Sequence, residues 1–411
     1  MHPHVISAPF IVLFIVICLN IARKESPSKL DTATIAPAFI AGLTIAVVTF
    51  MNMWALPTLI AVLTTVLLIR RISGYEKKAL PILAISVGIF SFSALLLLPY
   101  LMHFDTSVSG LYPSPIQTGL THGIIFWGPL FIMLIPYVIW EFVQSNIFCR
   151  WKTTLSLGLL IAVSPWLIRY SFSNSFVDDG PGLTKFALPL TILVLASAIA
   201  ATSRVISEQF SGRVLTLYLL SLGFLLILLP ELIYVGDVYE SRMNTIFKFS
   251  YQGWILLSMC TGYVAYFWCT KIRSSVGRVK TAHRLWGVTS LVALLSGLYF
   301  APAATFTKAS ESPFQSRNGL IFIQVQDPEM YEAINFVREN INSGEGIVEA
   351  VGEWGTAGVI AGSTGLVNII NWPGHQQQWR GDSLEIEGRT QDVRTIYVTE
   401  NTALAKTLLE F

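Results

Sequence analysis

The sequence predicts a polytopic α-helical membrane protein of about ten transmembrane helices with a C-terminal α/β domain. Three observations support this fold class: the composition, a series of apolar runs, and a change in charge balance near Ala304. Of the 411 residues, 53% are hydrophobic and 13% are charged, whereas charged residues make up about 25% of an ordinary soluble domain. We therefore expect the chain to fold in a lipid bilayer.

Ten apolar runs approach the length of about 20 residues that a helix needs to cross a bilayer. They lie near 4–22, 34–50, 54–70, 79–100, 119–142, 154–172, 184–202, 214–235, 247–270 and 285–304. Sixteen Lys and Arg residues fall on one set of alternate connections, which the positive-inside rule assigns to the cytoplasm. The sequence thus predicts a multi-pass plasma-membrane protein with its N-terminus and the connections 101–118, 173–183 and 236–246 outside the cytoplasm.

The charge balance divides the chain into a transmembrane domain at 1–304 and an extracytoplasmic domain at 305–411. The first contains 20 Lys/Arg and 11 Asp/Glu, and the second contains 7 and 14. In the second domain we expect Asp327 to cap a helix, 347–351 to form a buried strand, and Asn401 to begin a final helix. That helix stops at the chain end without a cap, so we predict that this domain is truncated.

The sequence excludes several classes of site. There is no basic face of the kind that binds nucleic acid. The four cysteines have neither metal-ligand nor thioredoxin-like spacing, so we expect neither a disulfide framework nor a zinc site. They are Cys18, Cys149, Cys260 and Cys269.

The segment 230–252, between the eighth and ninth runs, is the first candidate for a functional site. It contains three acidic and two basic residues, and each charge at the centre of a spanning helix costs roughly 2.5–3.5 kcal/mol. Arg242 and Lys248 are suited to holding a phosphate. The acidic residues are suited to binding Mg²⁺ or Mn²⁺ or to acting as a general base: Glu231, Asp237 and Glu240. The alternative is that the five charges only pair with one another at the interface.

A helix that begins near Asn244 would carry a polar ridge, which we define as Asn244, Lys248 and Gln252 with Tyr251 beside them. The first three recur every fourth residue and so share one helix face. Lipid exposure would leave their donors unsatisfied. We therefore expect the polar ridge to face the bundle interior or a water-filled cavity.

Asp178 and Asp179 form a second acidic candidate in the connection 173–183. Adjacent carboxylates on a turn can bind Mg²⁺ or Mn²⁺ beside a phosphate, although Asp-Asp-Gly-Pro is also an ordinary turn sequence.

Residues 371–381 form a third candidate, because they combine indole, amide and basic groups that suit sugar recognition. The side chains concerned are Trp372, His375, Trp379 and Arg380, the last of which also suits a phosphate. The alternative is a structured loop whose Trp residues anchor the domain on the bilayer surface.

Residues 228–254 and 368–382 resemble the prokaryotic YYY membrane protein family, whose members carry a domain of uncharacterised function. The resemblance extends over 52–59 and 389–409 and so covers nearly the whole chain. Ala55 stands where an acidic residue is expected, and the tyrosine triplet of the family is absent. The family is in turn similar to the GT-C superfamily of membrane glycosyltransferases, which take sugars from polyprenyl-phosphate carriers on the outer membrane face.

This resemblance implies a GT-C-like architecture and a glycosyltransferase, or part of one, that uses a polyprenyl-phosphate-linked sugar. Arg242 and Lys248 would hold the phosphate, and the loop 372–380 would close over the sugar. Asp237 or Glu231, or next Asp178 or Asp179, would bind a metal or accept a proton. The upstream region in which GT-C enzymes place an essential carboxylate has no counterpart here, so we expect an incomplete chain. Two other readings stay open: a transporter or flippase of a lipid-linked or anionic solute, and a membrane scaffold without chemistry.

Overall fold

The computed structural model describes most of the chain. The described residues are 3–23, 32–72, 79–104, 108–145, 151–173, 186–208, 211–237, 239–311, 316, 318–353, 355, 357–380 and 384–410. The chain divides into two compact units. The first comprises Met1–His103 and Ser109–Phe300, and the second comprises Phe104–Val108 and Ala301–Phe411.

The first unit is a helical bundle with one short pair of strands. Its helices are α1 (Pro3–Arg23), α2 (Thr32–Met51), α3 (Leu56–Ile72), α4 (Ala79–Leu101), α5 (Leu120–Val143), α6 (Trp151–Ser173), α7 (Ala187–Glu208), α8 (Gly212–Leu232), α9 (Met243–Ser274) and α10 (Gly277–Leu298). A 3₁₀ turn at Met53–Ala55 precedes α3. The strands are β1 (Gly110–Pro113) and β2 (Ile233–Gly236), which pair antiparallel.

The prediction of a polytopic helical membrane protein is confirmed. Within the described residues, nine helical stretches are long and apolar enough to cross a membrane, and a further apolar helix at Ile35–Met51 is shorter. Each of the ten predicted spans corresponds to one of these helices. The last two stretches, Met243–Ser274 and Gly277–Glu311, are 32 and 35 residues long, so both exceed the predicted spans. Helix formation continues there through polar residues that the apolar pattern does not include.

The centre of the first unit is α8, which packs between α7 and α9. In the most apolar 18 residues of α8, 72% of the residues are buried. The corresponding share is 6% in the stretch that contains α10. A Cβ on Gly253 would lie 3.1 Å from the backbone oxygen of Gly223, and one on Gly223 would lie 2.7 Å from Leu257 Cδ2. Small residues at these positions let membrane helices approach closely, which holds the polar half of α9 against the end of α8.

We call the end of the first unit that carries β1 and β2 the strand-pair end. Arg169 on α6 is fully buried there. Its Nη1 donates hydrogen bonds to the carbonyl oxygens of Ser114 at 3.1 Å and Leu232 at 2.8 Å. Ser114 Oγ also donates to the Pro230 carbonyl at 2.8 Å. One buried cation therefore fastens the connection after β1 to the end of α8.

The opposite end is held by a second charged group, the Glu141 cluster, which consists of Glu141, Arg204 and Arg213. The Glu141 carboxylate on α5 is fully buried. Oε2 lies 3.1 Å from Arg204 Nε on α7, and Oε1 lies 3.0 Å from Arg213 Nε on α8. This cluster joins three helices through one buried carboxylate.

The second unit is mainly helical in its described part. Its helices are α11 (Phe300–Glu311), α12 (Ile321–Gln326), α13 (Pro328–Asn340), α14 (Val359–Thr364), α15 (Pro373–Arg380), α16 (Leu384–Val398) and α17 (Thr402–Leu409). The two predicted caps are confirmed. Asp327 Oδ1 accepts from the Met330 amide at 3.0 Å, and Asn401 Oδ1 accepts from the Ala403 amide at 3.1 Å.

The strand predicted over 347–351 is wrong in length. Only Gly346–Ile347 (β3) is a strand, and it pairs parallel with Val367–Asn368 (β4). Two residues further on, Glu349 turns inward, where its carboxylate accepts from the amides of Ile360 and Ala361 at the start of α14. The backbone leaves the ladder because this buried carboxylate caps a helix instead.

We predict that Glu141→Gln lowers the free energy of unfolding by about 3–5 kcal/mol, because it removes the charge of the buried carboxylate that both arginines contact. The measurement is denaturant or thermal unfolding of the full-length protein in detergent micelles. The matched control is Glu385→Gln, which removes an exposed i,i+4 partner of Arg389 and is expected to cost at most about 1 kcal/mol. Equal losses in the two variants would contradict a structural role for the Glu141 cluster.

Candidate functional site

The polar ridge occupies the first turns of α9, at the strand-pair end. The helix begins at Met243, as expected from the spacing. Asn244, Lys248 and Tyr251 are half-buried, and Gln252 is 1% exposed. Gln252 therefore lies inside the bundle, and the inward orientation of the other three residues stays a prediction.

Glu231 and Arg242 lie at this end and bind each other. Glu231 Oε2 is 3.1 Å from Arg242 Nη1 and accepts from the Thr118 amide at 2.7 Å. Oε1 accepts from Thr118 Oγ1 at 2.6 Å. Arg242 also donates to the Pro230 carbonyl and to Thr118 Oγ1, each at 3.4 Å. We call Glu231, Arg242 and Thr118 the Glu231 anchor, because these bonds attach the connection before α5 to both ends of the α8–α9 turn.

Asp237 lies in the same turn and orients the first residue of the ridge. Its Oδ2 accepts from Asn244 Nδ2 at 2.5 Å, and its Oδ1 accepts from the Tyr239 amide at 3.0 Å. The Asp237 carbonyl accepts from the amide of Glu240 at 2.9 Å. Glu240 is exposed and has a positive φ of 45°, a conformation that few non-glycine residues adopt.

The predicted metal site stays a prediction. Among the described residues, no three His, Cys, Asp or Glu side chains come together as potential metal ligands. Asp237 and Glu240 alone would supply two carboxylates. Asp178 and Asp179, the other acidic candidates, lie outside the described residues.

Lys248 differs from the other charges of this segment. Its side chain has no hydrogen bond or ion pair with any residue in the described part of the chain, although the negative charge of Asp237 acts on it. One turn further along α9, Gln252 Nε2 donates to the carbonyls of Trp54 at 2.9 Å and Lys248 at 3.2 Å. Gln252 Oε1 is buried and has no partner within the described residues. The ridge thus presents one cation and one acceptor that internal bonds do not use.

An aromatic wall flanks the ridge, and sequence reasoning did not identify it. The buried His4 ring of α1 makes edge contacts with Phe247 at 4.5 Å and Tyr251 at 5.0 Å between ring centroids. Tyr251 in turn lies 6.0 Å from the Trp254 ring. The one sequence signal for this wall was His4 itself. A histidine inside an apolar run is energetically costly and therefore indicates a specific contact or function. Sequence reasoning also missed the roles of Thr118 and Arg169.

In the second unit, the segment predicted to be a loop is a helix. Pro373 begins α15, a position that proline favours because its missing N–H would be unpaired there anyway. Trp372 Nε1 donates to the Ala357 carbonyl at 2.9 Å, and its ring lies 5.7 Å from that of His375. The Trp379 and Arg380 side chains lie outside the described residues. Their assignment to sugar binding stays a prediction.

We predict that Glu231 and Arg242 are energetically coupled. Glu231→Gln and Arg242→Gln should each lower the free energy of unfolding, and the double variant should lose about 1–3 kcal/mol less than the sum of the two. A double-mutant cycle by denaturant unfolding in micelles measures this coupling. The control cycle combines Arg242→Gln with Glu141→Gln at the opposite end of the bundle, where additivity within about 0.5 kcal/mol is expected. An additive Glu231–Arg242 cycle would refute the anchor.

Comparison with known proteins places the first unit in a family. Neither the curated proteins nor the solved structures contain a match to this chain. Residues 1–257, more than half of the chain, match the family model of the uncharacterized membrane protein DUF2298. The matched range contains the Glu231 anchor and the whole polar ridge and ends inside α9. The chain therefore belongs to the DUF2298 family of uncharacterized membrane proteins.

Proposed function

We propose that this protein is a GT-C-like membrane glycosyltransferase that takes its sugar from a polyprenyl-phosphate carrier bound at the polar ridge. The observation that carries the proposal is the state of Lys248. This half-buried cation belongs to a candidate membrane span and has no bonded partner among the described residues. A charge in that setting is expensive and marks a ligand site by default.

A lipid-linked phosphate fits the position and the sign of this charge. The ridge lies at the start of α9, where the chain passes from the α8–α9 turn into an apolar helix. A phosphate at the bilayer interface could bind the Lys248 ammonium while its hydrocarbon chain stays in the lipid. Arg242 lies six residues earlier, with Nη1 and Nη2 engaged in the Glu231 anchor. Its Nε, which makes no hydrogen bond among the described residues, suits a second phosphate oxygen.

Asp237 is the best-placed carboxylate for the chemical step. In glycosyl transfer, the bond between the anomeric carbon and the phosphate oxygen breaks, and a bond to the acceptor oxygen forms. The acceptor proton passes to a base, and the lipid phosphate leaves. Asp237 attracts Lys248 and holds Asn244, so its carboxylate would lie beside the bound phosphate. Glu231 is committed to Thr118 and Arg242, which makes it a positioning residue in this proposal.

Asp178 and Asp179 are proposed to supply additional carboxylates if Mg²⁺ or Mn²⁺ takes part. Trp372, His375, Trp379 and Arg380 are proposed to recognise a sugar, since indole faces and imidazole or guanidinium donors suit that ligand.

A transporter or flippase is the second candidate, and Gln252 favours it. Its Oε1 is buried one turn beyond Lys248 and has no partner in the described residues, so polar groups without internal partners continue along α9 beyond the cation. A flippase would move the lipid-linked solute without breaking a bond. The two candidates therefore differ in whether the sugar is released from its carrier.

We predict that the purified full-length protein in lipid vesicles releases labelled sugar from polyprenyl-phosphate-linked sugar to an acceptor or to water. Lys248→Met should lower the rate about 100-fold or more, the effect of removing one preorganised electrostatic contact to the reacting group. The assay follows the loss of label from the lipid-extractable fraction. Arg242→Ala should also abolish the release, together with a loss of stability.

The matched control is Lys152→Met, since Lys152 is an exposed cation in the first turn of α6. It should retain the wild-type rate. A normal rate in Lys248→Met would remove the assigned role of this residue. Intact sugar-lipid that crosses the bilayer without release of label would favour the flippase instead.

A further inference from the structure

A second site lies between α9 and α10, at the end of the bundle opposite the strand-pair end. It is a cavity of about 500 Å³, within the range of ligand pockets. Its walls come from three helices and are almost entirely apolar. The lining residues include Cys269 on α9 and Arg284, Trp286 and Ser290 on α10. The location at this end follows from Lys271, whose Nζ lies 4.6 Å from the Trp140 ring centroid beside Glu141.

Two polar groups of the cavity wall have no internal partner. Trp286 Nε1 and Ser290 Oγ are both buried without a hydrogen bond to any described residue, and Ser290 is only 2% exposed. A buried donor without an acceptor destabilises the folded state unless a ligand supplies the acceptor. The nearby Trp268 is different, because its Nε1 donates to the Met133 carbonyl at 3.4 Å. The unsatisfied donors are thus a feature of α10 at this cavity.

The charges that α9 and α10 contribute near the cavity have one sign. Between residues 265 and 298 the sequence contains five Lys and Arg residues and no Asp or Glu. Arg284 lines the cavity, is exposed, and has no ion pair within the described part of the chain. A ligand for this cavity should therefore be anionic at one end and apolar along the rest.

We propose that the cavity binds an anionic phospholipid of the bilayer, with its phosphate on Arg284 and one acyl chain between α9 and α10. With a rise of 1.5 Å per residue, Ser290 lies about 9 Å beyond Arg284 along α10. The ester carbonyl oxygens of the lipid would accept from Trp286 Nε1 and Ser290 Oγ at that depth. An apolar peptide or detergent chain would satisfy neither the cation nor these donors.

Lipid can reach the cavity from the bilayer, because α10 exposes an apolar surface. Its side chains Leu285, Val288, Leu291 and Val292 are 55–65% exposed, so this helix covers little of its apolar surface with protein. Tryptophan is enriched at the membrane interface, where its ring is apolar and its N–H polar. This site is independent of the glycosyl-transfer proposal, since it uses other residues at the other end of the bundle.

The experiment uses the full-length protein in nanodiscs of phosphatidylcholine that contain a photoactivatable phosphatidylglycerol with a diazirine in its acyl chain. After illumination, peptide mass spectrometry should locate adducts on α9 and α10 around Cys269 to Ser290. Unlabelled phosphatidylglycerol should displace the probe, and extra phosphatidylcholine should not. Adducts spread evenly over the exposed helices, or equal displacement by both lipids, would overturn the proposal.

Variants test the two contacts separately. Arg284→Gln should lower the adduct yield about fivefold, the factor for one basic residue near an anionic lipid surface. Ser290→Ala should lower it about threefold, as expected for one net hydrogen bond. The matched controls are Arg278→Gln and Ser296→Ala on the same helix, which do not line the cavity and should label like the wild type. Wild-type labelling of Arg284→Gln would refute the phosphate contact.

Discussion

The structure depends on one constraint: hydrocarbon does not solvate charge, so each ionised group in the bundle needs a partner or a ligand. Most of the buried charges have partners from the protein. Glu141 has two arginines, Glu231 has Arg242 and Thr118, and Arg169 has two backbone carbonyls. Lys248 is the exception at the strand-pair end, within the residues described. Lys248 is therefore the charge to which we assign a ligand.

The same hydrogen bonds and ion pairs explain why Lys248 lies at the start of α9, at the strand-pair end. The Glu231 anchor and Arg169 hold the connection after β1 against the end of α8, which fixes the turn that leads into α9. The glycine contact between α8 and α9 sets the distance between these helices. Asp237 then orients Asn244 at the start of the ridge. Rigid surroundings of this kind allow an unpaired cation to act on a ligand rather than to find a partner by rearrangement.

Much of the helical bundle could be predicted from the sequence, because apolar runs and their lengths follow directly from the thickness of the bilayer. The burial of Gln252 also follows from helical spacing and the cost of exposing its side chain to lipid. The helix at Pro373–Arg380 was mistaken for a loop because its eight residues include three glutamines and one large apolar residue, Trp379. The strand predicted at 347–351 failed because Glu349 caps α14, a contact that depends on residues eleven and twelve positions away.

The site was predictable only in part, for a similar reason. Local sequence shows that the segment 230–252 is charged, but it does not show which charges pair. Glu231 accepts a hydrogen bond from Thr118, which lies 113 residues earlier in the chain, and the aromatic wall beside the ridge includes His4 of the first helix. Such contacts come from tertiary packing. In the folded structure Glu231 and Arg242 bind each other, whereas Lys248 has no bonded partner among the described residues.

The most direct test of the central claim is to compare the binding of polyprenyl phosphate with that of the neutral polyprenol, for wild type and Lys248→Met, in detergent micelles. We expect the wild-type protein to prefer the phosphate-bearing lipid and the variant to lose that preference while still binding the hydrocarbon chain. Equal binding of the two lipids by the wild type, or an unchanged preference in the variant, would contradict the account.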